Sequence, residues 1–116
     1  MSIEKDVLKN KSYRKVISTT EQMQLVFMSL EPGENIPAEI HDGTQFFRIE
    51  SGSGQINIWD SNAKTIKLKN GSAIIVPAGV RHMVKNTSKT KSLKLYTLYS
   101  PPQHAQGEEQ KRQVSY

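Results

Sequence analysis

The chain has 116 residues, which suits one compact domain, and 35% of them are hydrophobic. It has no cysteine, so disulfides and thiolate chemistry are excluded, and no apolar run approaches the roughly 18 residues that a membrane span needs. The N-terminus lacks the apolar core of a signal peptide, so we expect a cytoplasmic protein without a membrane partner.

The formal net charge is +5, from 16 basic and 11 acidic residues. Several lysines alternate with apolar residues, as Lys67 does between Ile66 and Leu68, which is typical of a solvent-exposed strand face. Nucleic-acid binding would need a denser basic patch with interleaved aromatic residues, so no nucleic-acid partner is expected. A small anion such as a carboxylate or phosphate is compatible with the mild positive charge.

Residues 1–12 are charged and weakly patterned, and we interpret them as an N-terminal arm. This arm is a short helix, a disordered segment or a strand added to a partner's sheet, and no helix is convincing anywhere in the chain. Residues 13–102 form the predicted domain, with about nine short strands separated by turns. The strands are predicted at 13–19, 22–30, 36–41, 46–50, 55–59, 65–69, 73–76, 81–86 and 93–100.

This pattern predicts an all-β sandwich or a small closed barrel. Pro37 lies inside the third predicted strand and therefore indicates an edge strand or a bulge. Residues 103–116 are polar and charged, and we interpret them as a C-terminal tail that is mobile unless it docks.

Three potential metal ligands lie close together in the first half of the chain. Glu39 and His41 are two residues apart, so on a strand they point to the same face. The turn-like pair Asp42-Gly43 then predicts a hairpin that returns Gln45 beside them. Metal binding at this point needs a fourth group from elsewhere in the chain.

A second stretch, residues 71–86, supplies that group and a family resemblance. Its landmarks have the spacing of the second cupin motif, in which a glycine, a proline, a glycine, a histidine and an asparagine recur; here they are Gly71, Pro77, Gly79, His82 and Asn86. The spacing of the first cupin motif is met as well, by Gly33, Glu39, His41, Gln45 and Gly52. The chain therefore resembles a small single-domain cupin over roughly residues 22–100.

The resemblance implies a cupin-type double-stranded β-helix, or jelly-roll barrel, that is often a homodimer and binds one divalent metal. Glu39 stands where the family has its leading histidine, His41 matches the second histidine, Gln45 replaces a glutamate, and His82 matches the histidine of the second motif. Such a site suits Zn²⁺, Fe²⁺, Mn²⁺, Ni²⁺ or Co²⁺. Gln45 is the weakest donor, and it binds either the metal or a metal-bound water or substrate.

The predicted function is that of a metal-dependent enzyme acting on a small oxygen-rich molecule, by isomerase-type or dioxygenase-type chemistry. No catalytic residue is singled out by the sequence. The alternatives are a non-enzymatic small-molecule binding or sensing module and a degenerate site without metal. Glu39 also has a structural alternative, as a buried carboxylate paired with Arg48 or Arg81.

Strand alternation predicts which other side chains face the pocket. Phe47, Ile49 and Val84 are expected to face inward, whereas Arg81 is expected to face outward and His104 to lie outside the site. Two strands leave alternatives open. The inward pair is Leu25 with Phe27 or Val26 with Met28 in one strand, and Tyr96 with Leu98 or Thr97 with Tyr99 in the other.

Overall fold

The computed structural model describes residues 1–113 and contains one short helix followed by ten strands. The helix, α1, spans Ile3–Lys9. The strands are β1 (Arg14–Thr19), β2 (Gln24–Leu30), β3 (Asn35–Glu39), β4 (Thr44–Ser51), β5 (Gly54–Trp59), β6 (Ala63–Leu68), β7 (Ala73–Val76), β8 (Arg81–Asn86), β9 (Leu93–Ser100) and β10 (Glu109–Gln110). Within residues 1–113, no helix combines the length and apolar character of a membrane span.

The strands form two antiparallel sheets that face each other across one core. The larger sheet has six strands in the order β10-β1-β2-β9-β4-β7, and the smaller has four in the order β3-β8-β5-β6. The apolar side chains of the facing surfaces fill the space between the sheets. The all-β prediction is confirmed, and all nine predicted strands are present.

The predicted hairpin between β3 and β4 is wrong. β3 pairs with β8 in the smaller sheet, whereas β4 pairs with β7 and β9 in the larger sheet. The turn residues between them carry the chain from one sheet to the other. A Cβ on Gly43 would lie 2.3 Å from the Ser100 carbonyl oxygen, so only glycine lets this crossing pass against the end of β9.

The N-terminal arm contains a short helix, which is one of the three alternatives that the sequence left open for it. α1 packs on the outer face of the larger sheet, against β4 and β9. Its single fully buried side chain is Val7. One apolar anchor produces little helical periodicity in the sequence, which explains why the pattern around it is weak.

The structure decides between the open alternatives for the inward faces. Val26 and Met28 face the core from β2, and Thr97 and Tyr99 are buried on β9. The expected inward residues Phe47, Ile49 and Val84 are buried, whereas Arg81 is exposed. The irregularity predicted from Pro37 is present too, because the β3–β8 register shifts between Ile36 and Glu39 and β3 is an edge strand.

Residues 103–113, which we call the C-terminal strap, are docked on the sandwich. β10 pairs with β1. Arg112 forms an ion pair with Glu34 at 3.0 Å, and the Gln113 side chain accepts a hydrogen bond from the Asn35 backbone N–H at 2.8 Å. The strap thus joins the edge of the larger sheet to the edge strand of the smaller one. The rest of the predicted tail, residues 114–116, lies outside the described residues.

A fully buried amide, Gln24, fastens the start of the strap. Its Oε1 accepts hydrogen bonds from the backbone N–H groups of Gln103 and His104, at 3.2 and 3.0 Å. Its Nε2 donates to the His104 carbonyl oxygen at 2.7 Å. The Gln24 side chain therefore provides the hydrogen bonds that a neighbouring strand would otherwise provide to the backbone of Gln103 and His104.

Replacing Gln24 with leucine is expected to loosen the strap without unfolding the sandwich. The change removes three hydrogen bonds to the strap, each with a net contribution of about 1 kcal/mol, so the strap should open at least about tenfold more often. Trypsin cleavage at Lys111 and Arg112 measures this opening. The exposed neighbour Gln22 is the matched control, and equal cleavage rates in Gln24→Leu and Gln22→Leu would contradict the prediction.

Candidate metal centre

The four predicted ligands come from both sheets and meet between them. Glu39 ends β3 and is paired directly with His82 of β8 in the smaller sheet. His41 lies in the loop after β3, and Gln45 projects from β4 of the larger sheet. The sequence places Glu39, His41 and Gln45 together on a predicted hairpin. In the structure they are close because the two sheets that carry them pack face to face.

The ligand atoms of these side chains lie within a few ångströms of one another. Single atoms of Glu39, His41 and His82 are all within 4.8 Å of each other. Glu39 Oε1 is 3.0 Å from His41 Nε2 and 3.6 Å from His82 Nε2. Gln45 Oε1 is 3.0 Å from the same His82 nitrogen. All four residues singled out in the sequence are therefore neighbours.

Two neighbouring groups aim His82 and Gln45 at the centre of this cluster. His82 Nδ1 is 3.0 Å from the Val80 carbonyl oxygen, so this nitrogen carries the proton in a neutral ring and Nε2 presents its lone pair. Gln45 Nε2 donates to Thr97 Oγ1 at 3.0 Å, which turns the amide oxygen toward His82. A histidine whose second nitrogen bonds a backbone carbonyl is typical of metal sites.

The loop that carries His41 is held by the turn before β8. The Gly79 N–H donates to the His41 carbonyl oxygen at 2.8 Å, and Gly79 has a φ of 80°. This left-handed conformation favours glycine, which accounts for its place in the motif. The His41 ring also meets the edge of Tyr99, with ring centroids 5.3 Å apart. Backbone and side chain of His41 are therefore both fixed.

The donor set fits a cation. In the part of the chain that the structure describes, Glu39 Oε1 and His41 Nε2 are buried and have no hydrogen-bond partner of acceptable geometry. With His82 Nε2 they bring three potential metal-ligand atoms within 4.8 Å of one another. Buried polar atoms without a partner are costly, and a divalent cation bound between these atoms would satisfy all three. The cluster is therefore a possible Glu/His/His metal site.

The electrostatics of the cluster favour an ionised carboxylate. Burial alone would raise the pKa of Glu39, but His41 and His82 outweigh it and lower that pKa from 4.5 to about 2. In turn, the Glu39 carboxylate raises the pKa of His41 above its usual value of 6.5. The cluster thus contains one fixed negative charge at neutral pH, which suits a divalent cation.

The structural alternative for Glu39, an ion pair with arginine, is wrong. Arg48 lies 3.0 Å from Glu50 instead. Arg81 is exposed and stacks over the Trp59 ring at 5.0 Å from its centroid. Both guanidinium groups therefore have other contacts, and the polar contacts of Glu39 are with histidines.

His104 is not a member of the Glu39, His41 and His82 cluster. It nevertheless lies close to this cluster, although it belongs to the segment interpreted from the sequence as a polar tail. Its ring centroid is 5.2 Å from that of Tyr99, and its Nε2 is 3.3 Å from the Tyr99 hydroxyl. Tyr99 in turn contacts His41. The sequence carried no signal for this arrangement, because it depends on the docking of the strap by Gln24.

The chain is thus a two-sheet antiparallel jelly roll with a possible Glu/His/His metal site between its sheets. A family model described as "Cupin domain" matches residues 26–99, most of this chain. The chain belongs to the cupin family, and the resemblance inferred from the two motifs is confirmed. Cupins commonly bind small molecules, and many bind metals.

Relatives of this chain include proteins of unknown function and one solved structure. An uncharacterised protein of Acanthamoeba polyphaga mimivirus is 46% identical over 110 residues, covering 93% of this chain and 68% of that protein. Uncharacterised protein YrkC of Bacillus subtilis is 40% identical over 111 residues, covering 92% of this chain and 59% of that protein. The crystal structure of BH2720 from Bacillus halodurans is 34% identical with a TM-score of 0.91, covering 97% of this chain and 87% of that one. This chain thus spans about two thirds of the length of the two curated relatives.

Proposed function

We propose that this chain is a divalent-metal-dependent cupin enzyme that acts on a small oxygen-rich molecule. The observation that supports this most is the convergence of Glu39, His41 and His82, whose ligand atoms lie within 4.8 Å of one another. The side chains of Glu39 and His41 are 25% and 13% exposed, whereas that of His82 is 1% exposed. A small ligand therefore has access from the side of Glu39 and His41.

Glu39, His41 and His82 would hold the ion, and Gln45 would either complete its shell or bind a ligand beside it. Two imidazoles with one carboxylate and an amide oxygen suit Zn²⁺, Fe²⁺, Mn²⁺, Ni²⁺ or Co²⁺. When bound, such an ion supplies Lewis-acid chemistry or, if it is iron, oxidation by dioxygen. The remaining work belongs to the chain, in which Val80 orients His82 and Thr97 orients Gln45.

Parallel incubations under air and under argon separate the two reaction classes. Protein loaded with Zn²⁺ or with Fe²⁺ is mixed with dihydroxyacetone, glyceraldehyde or catechol, and products are followed by NMR. An isomerase converts the first two compounds equally in both atmospheres, whereas a dioxygenase consumes catechol only with iron and air. If probes bind saturably but stay unchanged under every condition, the enzyme proposal is wrong and the alternative, a binding or sensing module, takes its place.

The homodimer and the cytoplasmic location expected from the sequence stay predictions. Ile75, on the edge strand β7, is 66% exposed, and an exposed apolar side chain at a sheet edge supports a partner there. A second copy of the chain is the partner that the family resemblance favours.

A further inference from the structure

A second polar cluster lies between the sheets, next to the candidate metal centre. It starts with Arg14, which faces inward from β1, because it is paired with the fully buried Met28 of β2. The Arg14 side chain is 16% exposed. Its Nη1 donates to Gln110 Oε1 at 3.0 Å, whereas its Nε is buried and has no hydrogen-bond partner among residues 1–113.

The strap places a carboxylate beside this guanidinium, but the two groups are poorly matched. Glu108 Oε2 is 3.9 Å from Arg14 Nη1 and 3.5 Å from His104 Nδ1. This oxygen atom is buried and makes no hydrogen bond within residues 1–113, although the Glu108 side chain as a whole is 39% exposed. A well-formed arginine–carboxylate pair has N–O distances of about 2.7–2.9 Å and is often bidentate. Both partners therefore keep unused hydrogen-bonding capacity.

Tyr99 connects this cluster to the candidate metal centre. His104 Nε2 is 3.3 Å from the Tyr99 hydroxyl, and the Tyr99 ring contacts His41. Burial, followed by the charge of Arg14, lowers the pKa of His104. The groups beside Glu108 are thus the guanidinium of Arg14 and the Nδ1 atom of His104.

We propose that Arg14 and His104, with Tyr99 positioning the His104 ring, form a carboxylate-binding subsite, which Glu108 fills in this structure and which a small carboxylate ligand fills in its place. A single guanidinium beside one imidazole matches a monoanionic carboxylate better than a phosphate dianion. Glu108 is 39% exposed and can leave together with residues 108–113, which are held largely by hydrogen bonds and ion pairs to polar side chains, whereas Gln24 keeps His104 in place. This inference rests on the proposed function in placing the subsite beside the metal centre.

The test compares small carboxylates with their uncharged amides. Acetate, glycolate and lactate, and the corresponding amides, are added to metal-loaded and to EDTA-treated protein, and affinities are measured by calorimetry and thermal shift. We expect the carboxylates to bind and the amides not to bind. In Arg14→Gln carboxylate affinity falls at least about tenfold, because charge-assisted hydrogen bonds are lost. The control Lys15→Gln, on the exposed face of the same strand, keeps it.

Glu108→Gln separates a ligand subsite from a purely structural ion pair. If Glu108 competes with the ligand, this variant binds carboxylates severalfold more tightly, even though the strap is less firmly held. Equal or weaker carboxylate binding in Glu108→Gln would overturn the proposal, as would equal binding in Arg14→Gln and wild type. A response of wild type to inorganic phosphate but to no carboxylate would also overturn it.

The measurements on EDTA-treated protein keep this inference distinct from the proposed function. Arg14-dependent carboxylate binding by EDTA-treated protein supports the subsite even if the chain takes up no metal. Conversely, a full equivalent of metal without Arg14-dependent binding supports the metal centre and overturns the subsite.

Discussion

Replacing His82 with glutamine is expected to lower the affinity for a divalent metal at least about 100-fold. Substituting groups that merely support a metal ligand already costs about 10–100-fold, so loss of a direct ligand should cost at least as much. His82 is 1% exposed, and its Nε2 lies within 3.6 Å of both Glu39 Oε1 and Gln45 Oε1. Titration with Zn²⁺ against a competing chelator, with elemental analysis of the desalted protein, measures the change.

The chain offers a chemically matched control for this variant. It has three histidines, and His104 is the one outside the converging cluster. His104→Gln makes the same change one side chain farther from the centre, so metal uptake should stay at the wild-type level. Circular dichroism verifies that both variants keep the β-sandwich. Loss of metal in His104→Gln, with retention in His82→Gln, would place the metal elsewhere and defeat the assignment.

Much of the candidate site could be predicted from the sequence, because motif spacing and strand alternation are local properties. The spacing of Glu39, His41, Gln45 and His82 identified four groups that the structure brings together. Alternation also predicted that Phe47 and Val84 are buried. The first inference depends on the resemblance to the cupin motifs, and the second depends on the period of two along a strand, which holds whichever strand lies alongside.

Strand pairing could not be predicted in the same way, because it depends on contacts between distant segments. Asp42-Gly43 marks a reversal of the chain, but nothing local indicates whether the next strand joins the same sheet or the opposite one. Here the reversal crosses between sheets, and the β3 residue Glu39 is paired with His82, more than forty positions further along the chain. The four candidate ligands are therefore neighbours through a geometry that differs from the one expected from the sequence.

The C-terminal strap shows a second limit of composition. Polar residues from Gln103 onward indicate a mobile tail when only apolar burial is considered. In the structure, however, side chains of the domain hold its backbone, above all Gln24 in β2. Gln24 begins β2 on the same face as the buried Val26 and Met28, but a polar residue at that position does not indicate which segment it binds, so neither the docking nor the position of His104 could be inferred.

The largest effect on stability is expected from Phe47→Ala. Phe47 projects from β4 between the sheets, is 1% exposed and contacts the His82 ring, with centroids 5.8 Å apart. Truncation of a fully buried phenylalanine leaves a cavity and costs about 3–5 kcal/mol. A domain of this size has about 5–15 kcal/mol of total stability, so the loss should be plain in urea unfolding of metal-free protein.

The adjacent Phe46 is the matched control, since it has the same side chain on the opposite face of β4. Phe46 is half-buried on the outer face of the larger sheet, where it contacts Tyr96, so Phe46→Ala should cost about 1 kcal/mol. Equal losses in the two variants would mean that the outer face is covered as completely as the core. A larger loss for Phe47→Ala would instead support the placement of Phe47 in the core between the sheets. In that position its ring also packs against the ring of the candidate ligand His82.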